Sequence, residues 1–280
     1  MAGALGAEIE GVDLGEALDD TVFAEIHRAW LAHHVIVFRD QDISPDQHLR
    51  FARRFGDIHI HPFNAPLDGY PEILQILKTE EMRLNNGSRW HSDQMYTARP
   101  AKATTLVARE LPPYGGDTLF ANLHLAYEAL SPAFAHMLEG LRGVNNGDSR
   151  KYYGLSRAER VAAGIATMPQ KASTAGVQTL SVHPLVRSHP ETGRKALYFG
   201  SHTERLDGMS MEESAPLLAW LTEFASRPEF TARLRWRVGT VTLWDNRCTQ
   251  HLAVNDYHGF RRCMHKITIQ GDTPYLARVA

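Results

Sequence analysis

The chain has little cysteine: Cys248 and Cys263 are the only two in 280 residues. A framework of disulfides is excluded as the source of stability, and a reducing compartment, the cytoplasm, is expected. Long apolar runs are also missing. Residues 1–20 carry Glu8, Glu10, Asp13 and Glu16 in place of a hydrophobic core, so neither a secretory leader nor a membrane span is expected. Neither sign of charge is in excess: 30 Lys and Arg stand against 32 Asp and Glu, a net charge of −2. That balance points away from nucleic acid and from membrane surfaces. Internal repeats, low-complexity stretches and linkers are lacking. One domain over residues 1–280 is expected, a length that all-β barrels and sandwiches reach as a single unit.

What the chain does have is histidine, fifteen in all, and many short strand signals. Phe23, Ile26, Trp30 and Leu31 fall on one helical face in 21–34. Val35–Phe38 follows as a buried strand, and Ser44-Pro45 opens a second helix that closes at Gly56. Strands are then expected over 73–77, 104–108 and 118–120. Two short helices are expected over 122–130 and 131–141. Residues 144–180 hold little periodicity apart from a short helix over 156–163, and they read as a lid or insertion over a site. Strands return at 184–186, 195–199, 234–237, 240–244 and 264–269. They are interrupted by a helix whose capping box is Ser210-Met211-Glu212-Glu213. Many short strands with helices outside predict a mainly β chain with flanking helices, a double-sheet jelly roll.

Trp90-His91-Ser92-Asp93 places a histidine and a carboxylate two positions apart. On a strand such residues share a face. Alone the pattern is weak, because about one His-x-Asp is expected by chance in a chain this rich in histidine. A histidine hydrogen-bonded to its neighbouring aspartate is the bland reading. His251, beyond the strand ending in Trp244-Asp245-Asn246, strengthens the case. Two imidazoles and one carboxylate with open positions form a ligand set for non-haem Fe(II). The same three ligands on zinc would serve a hydrolase. Arg262 opens an otherwise apolar strand with no obvious carboxylate partner, so a bound dicarboxylate would suit it. Lys266, four residues on, lies on the same strand face. It adds a second positive charge, or else belongs to an ordinary surface pair. Thr118 is by itself only a β-favouring residue. Phe63, Met95, Tyr96 and Trp244 are candidates to line a pocket, although core packing is the commoner use of such residues.

These residues sit inside longer blocks. Among them are Leu5 to Leu14, His34-Val35-Ile36-Val37-Phe38-Arg39-Asp40-Gln41, Arg54 to Pro62 and Leu111-Pro112-Pro113-Tyr114-Gly115-Gly116-Asp117-Thr118. His183 to Pro190, Trp244 to His251 and Arg261 to Lys266 complete the series. With these blocks the chain resembles, nearly end to end, the taurine/2-oxoglutarate dioxygenase family, which includes alkylsulfatase and phenoxyalkanoate dioxygenases. The resemblance implies a double-stranded β-helix with Fe(II) held by His91, Asp93 and His251. It implies 2-oxoglutarate as co-substrate, with its distal carboxylate on Arg262 and Thr118. O2 and a small organic molecule would be the other reactants, with succinate and CO2 as products. His61 matches the position that contacts the sulfonate in the taurine enzyme. Dimers or tetramers are common in such a family.

Two departures bear on the substrate. Lys266 stands where the family usually has arginine, which keeps the charge and loses the planar fork. Asn64 stands where the taurine enzyme has an aromatic residue. His61, Asn64 and Lys266 are therefore the expected substrate contacts, and taurine itself is not the expected substrate. A sulfonate, sulfate ester or aryloxy acid is expected. An amino-acid derivative in a biosynthetic pathway is the alternative, and a metal-binding jelly roll without oxygenase activity is the alternative of a different class.

Overall fold

The first helices begin where side chains satisfy backbone N–H groups that have no partner within the helix. In α1 (Asp20–His33) the Asp19 carboxylate accepts from Val22 N–H. In α2 (Pro45–Arg53) Ser44 and Gln47 form a reciprocal capping box, with Pro45 in the first turn. The computed structural model describes residues 1–151, 154–163, 168–171, 173–174 and 176–277.

Among the described residues, fourteen strands run around these helices. β1 (Ala7–Glu8), β2 (Val35–Phe38), β3 (Leu74–Lys78), β4 (Ala101–Glu110) and β5 (Thr118–Asn122) precede α3 (Leu123–Glu128) and α4 (Pro132–Glu139). β6 (Arg142–Asn146), α5 (Arg157–Ala162), β7 (Leu180–Pro184), β8 (Val186–Ser188), β9 (Lys195–Leu197) and β10 (Thr203–Leu206) lead to α6 (Met211–Ala225). β11 (Thr231–Leu234), β12 (Val241–Asp245), β13 (Thr249–Ala253) and β14 (Arg262–Gln270) close the chain. The large sheet has the order β1-β2-β12-β4-β14-β3, and a smaller sheet has the order β11-β5-β13. A third, β10-β6-β7, and the pair β8-β9 complete the set. The architecture is the expected jelly roll with helices packed outside.

Strand alternation decides what each face of the large sheet meets. Ala103 and Val107 on β4, Val241 and Leu243 on β12, and Ile267 and Ile269 on β14 pack into one cluster with Ile26, Trp30, Leu49 and Phe55 of the helical layer. Their neighbours point the other way. Leu106, Ala108, Trp244 and Met264 pack with Phe120, Ala232 and Leu234 of the smaller sheet. Thr104, Arg262 and Lys266 lie in step with this second set, so polar groups enter the interior of the roll beside an apolar core.

Among the boundaries that differ from expectation, three are decided by pairing. The strand expected over 184–186 is two strands, since β7 ends at Pro184 and β8 begins at Val186. Leu185 breaks the run, its N–H bonding to Leu141 O and its carbonyl accepting from Tyr198. The strand expected over 234–237 is Thr231–Leu234, because its pairing with β5 ends at the Leu234–Thr118 register. The segment 144–180 is not irregular throughout. Residues 144–146 belong to β6, whose partner β7 begins at Leu180, so the irregular part joins two paired strands. Residues 152–153, 164–167, 172 and 175 of that segment lie outside the described residues.

Candidate functional site

His91 and His251 meet through their backbones. His91 N–H donates to His251 O at 3.1 Å, and His251 N–H donates to His91 O at 2.8 Å. This single antiparallel bridge sets the imidazoles side by side, with ring centroids 4.1 Å apart. Asp93 Oδ1 lies 3.8 Å from His91 Nε2 and 4.0 Å from His251 Nε2. One donor atom from each of the three residues lies within 4.8 Å of the other two.

The route to this arrangement differs from the sequence reading in two ways. His91 and Asp93 are not on a strand. His91 is itself the bridge residue and Asp93 begins the turn that follows, with Gln94 at φ 56. Ser92 still points away, its hydroxyl donating to Thr249 O at 2.7 Å. His251 is not beyond a strand end either. It is inside β13, opposite Phe120, because β5 extends far enough to pair with it.

The surroundings set the orientation and protonation of the three groups. His91 Nδ1 lies 2.7 Å from Arg89 O, so Nδ1 carries the proton and the Nε2 lone pair faces Asp93. Burial pulls His91 down from the usual imidazole range. Burial and then the neighbouring His91 hold His251 well below it. Both rings are therefore neutral donors at neutral pH. Burial pushes the Asp93 carboxyl up. The Lys266 charge first, and then the facing His251 and His91 rings as neutral dipoles, outweigh that effect and hold it well below the usual carboxylate range. Thr104 donates to Asp93 Oδ2 at 2.6 Å. Asn246 Oδ1 accepts from Asp93 N–H at 3.1 Å and from Trp244 Nε1 at 3.1 Å, and its amide donates to Thr104 at 2.9 Å. Two neutral imidazoles and an oriented carboxylate fit Fe(II) better than a soft thiophilic ion.

A cavity of about 270 Å³ opens over the three residues. His61, Asn64 and Lys266, the expected substrate contacts, all line it. His61 Nδ1 accepts from the backbone N–H of Phe63 (3.1 Å) and Asn64 (3.0 Å). That leaves Nε2–H as a donor, on a ring that burial and then the Lys266 and Arg157 charges hold neutral, down to about 3. Asn64 is engaged elsewhere: its side-chain oxygen accepts from Arg157 and from Gln170. Lys266 Nζ lies 2.6 Å from Asp93 Oδ1, so its ammonium has a protein partner.

Residues from the β6–β7 connection form one wall. Ser149, Arg157, Arg160, Met168 and Gln170 line the cavity. The Arg157 guanidinium lies 4.3 Å above the Phe63 ring, and its Nε donates to Gln170 at 2.9 Å. Among the described lining residues are Arg89, Arg157, Arg160 and Lys266 against one carboxylate, Asp93. Of the expected aromatic and sulfur lining, Tyr96 is present, whereas Phe63, Met95 and Trp244 are buried behind the wall. The sequence reading missed His202. It lines the cavity, and its ring centroid is 6.2 Å from that of His91. No spacing signal marks it, since it lies in the turn before β10.

Arg262 and Thr118 are not in the lining of this cavity. Arg262 is buried, its Nε has no hydrogen-bond partner, and no described residue forms an ion pair with it. Burial lowers its pKa from the usual guanidinium range. Asp117, which precedes β5 and acts electrostatically on Arg262, is taken by Arg233 at 2.6 Å. Trp236 connects the two expected residues. Its ring lies 5.9 Å from the Arg262 guanidinium, and its Nε1–H donates to Thr118 Oγ1 at 3.0 Å. A buried guanidinium left without an anion is costly, and a ligand carboxylate would remove that cost. Gly116, at φ 71, stands where a Cβ would come within 3.2 Å of Arg262, so the backbone leaves room for that side chain.

Residues 1–268 match the family model described as "Taurine catabolism dioxygenase TauD, TfdA family". The chain is 35% identical over 274 residues to an alkylsulfatase of Acinetobacter baylyi, covering 97% of this chain and 84% of that protein. It is 35% identical to an alpha-ketoglutarate-dependent sulfate ester dioxygenase of Pseudomonas putida, covering 98% and 89%. Among solved structures, a taurine dioxygenase from Burkholderia xenovorans superposes with a TM-score of 0.80 at 36% identity, covering 98% and 88%. The structure of AAD-2 in complex with Mn(II) and N-oxalylglycine superposes with a TM-score of 0.78 at 29% identity, covering 99% and 98%. No helix among the described residues is long and apolar enough to cross a membrane. By sequence and by fold, this chain belongs to the TauD/TfdA dioxygenase family.

Proposed function

We propose that this chain is an Fe(II)- and 2-oxoglutarate-dependent dioxygenase that hydroxylates a small organic anion. The observation that carries the reading is the meeting of His91, Asp93 and His251 at one point of a cavity whose other charged lining residues are cationic. His91, Asp93 and His251 would hold the iron, and Arg262 with Thr118 would receive the distal carboxylate of 2-oxoglutarate. Bound there, that pair supplies O2-dependent oxidation of a substrate C–H bond, with succinate and CO2 as co-products. The protein's own part is positioning and exclusion of water. His61 offers a neutral N–H donor and Arg157 offers charge to an anionic head group, and Lys266 would join it where a bound cation displaces its ammonium from Asp93.

Sulfate esters, sulfonates and aryloxy acids are the proposed substrates. Relatives named for a sulfate ester and for 2,4-dichlorophenoxyacetate support that class, as does the excess of cationic lining. The described residues of the β6–β7 connection would act as the lid, with Arg157 fastening them to Asn64 and Phe63. A dimer or tetramer is part of the same reading and is checked by sedimentation. The direct test is succinate release by Fe(II)-loaded protein across those three anion classes. Release that depends on 2-oxoglutarate and rises with one class supports the reading. No substrate-stimulated release from folded, iron-loaded protein would overturn it.

A further inference from the structure

Outside the cavity, a second group of ligand-type side chains comes together in the core. His34 caps α1, His124 is the second residue of α3, and Cys248 lies in the turn between β12 and β13. All three are buried. One donor atom from each lies within 4.8 Å of the other two. The rings of His34 and His124 have centroids 5.2 Å apart.

The backbone fixes this meeting. Leu123 N–H donates to Cys248 O at 2.9 Å, and Asp245 N–H donates to His34 O at 2.9 Å. The start of α3, the end of α1 and the β12–β13 turn are thus joined at the cluster. His34 adopts φ 64 as the left-handed C-cap of α1, a conformation that histidine takes more readily than most residues other than glycine.

His124 repeats the arrangement seen at His91. Its Nδ1 lies 2.8 Å from Lys195 O, so the proton resides on Nδ1. Its Nε2 is buried and has no hydrogen-bond partner. A carbonyl behind one ring nitrogen and a free lone pair on the other is the usual pose of a ligating histidine. Burial also pulls both His34 and His124 down to about 4, which leaves neutral rings at neutral pH.

A neighbouring set, His189, Asp245 and Cys248, is equally close but saturated. Asp245 Oδ1 accepts from the backbone N–H and Nε of Arg247, and Oδ2 accepts from Arg247 and from His189 Nε2. His189 Nδ1 accepts from the N–H groups of Glu191 and Thr192. No donor lone pair is left on that histidine, and the carboxylate is already neutralised by Arg247.

We infer that His34, His124 and Cys248 form a second, structural metal site that takes a thiophilic cation of the zinc class. Two imidazole nitrogens and one sulfur suit zinc and not the Fe(II) proposed for the cavity. Binding forms a sulfur–metal bond as the Cys248 thiol releases its proton to solvent, with no change of oxidation state. The site would pin the turn that carries the chain from β12 into the strand bearing His251.

Cobalt(II) reports the site, because a cobalt–thiolate bond gives an intense near-ultraviolet band that a histidine–carboxylate site lacks. The full chain, produced in cobalt-supplemented minimal medium, is expected to carry this band and a second ion per chain. His91→Ala should lose the first ion and keep the band. Cys248→Ser should lose the band and keep the first ion. A folded wild-type protein that carries cobalt without the band would overturn the inference, even if neither variant can be isolated. A band that survives in Cys248→Ser would overturn it too, by moving the sulfur to Cys263.

Discussion

Lys266 and Asp93 form a buried ion pair, Nζ to Oδ1 2.6 Å, on the same oxygen that faces His91 and His251. A cation bound by the three residues would compete with the ammonium for that oxygen. Without a metal, the lysine is what neutralises the carboxylate. Lys266→Met should therefore have two opposite effects. The metal-free protein should lose about 3 kcal/mol, the scale for removing one member of a buried pair. Mn(II) should bind at least ~10-fold tighter, on the scale of changes beside metal ligands. Urea melts of metal-free protein and an anaerobic Mn(II) titration read the two effects. Unchanged stability would mean that the pair holds nothing in solution.

Arg262 is buried with no described ion-pair partner. Arg262→Met should raise the 2-oxoglutarate requirement by about 30-fold or more, matching roughly 2 kcal/mol or more for truncating one side of a buried charge contact. The same change should leave Mn(II) affinity intact. It should also stabilise the protein in the absence of 2-oxoglutarate, since an unpaired buried charge is removed. Thermal melts with and without 2-oxoglutarate check this. A ligand-induced rise in Tm as large in the variant as in wild type would refute the role of Arg262.

Thr104 carries one hydrogen bond to Asp93 and receives another from Asn246. Thr104→Val keeps the shape and removes both. Metal affinity should fall about 10- to 100-fold, as for other groups that orient metal ligands. Stability should fall by about 1–3 kcal/mol, because the Asn246 amide loses its acceptor. Calorimetric Mn(II) binding and a denaturant melt measure the two effects separately.

His48 is fully buried, 3.1 Å from Thr105 Oγ1. Burial lowers its pKa from 6.5 to about 3. Between those values the unfolded chain binds the proton and the folded chain does not. Its contribution is complete above pH 6.5 and lost as pH falls toward 3, at about 1.4 kcal/mol per pH unit for such a group. His48→Leu should flatten the acid limb of the stability curve by about that slope. An unaltered slope in urea melts between pH 6 and pH 4 (roughly the window in which this linkage acts) would show that His48 does not govern it.

Much of the fold was legible because periodicity and capping are local. The Ser44 N-cap and the Ser210 capping box occur where the sequence places them. Val35–Phe38 reads as a buried strand and is one. The failures fall where pairing partners decide. Whether 231–234 or 234–237 is the strand depends on β5, and whether 251 is inside a strand depends on how far β5 runs. His202 was illegible because a turn residue enters a cavity only through its neighbours' packing.

By itself the sequence determined the ligand types, the β-rich pattern with helices outside, and the likeness to a dioxygenase family. Those depend on residue identity and short-range spacing. Only the tertiary structure decided that His91 and His251 exchange backbone hydrogen bonds. It alone placed Lys266 on Asp93 and not free in the cavity, and gave Arg262 no ion-pair partner among the described residues. It also brought His34, His124 and Cys248 into one buried cluster. These contacts join residues far apart in the chain, and strand register with close packing, not local preference, fixes which of them meet.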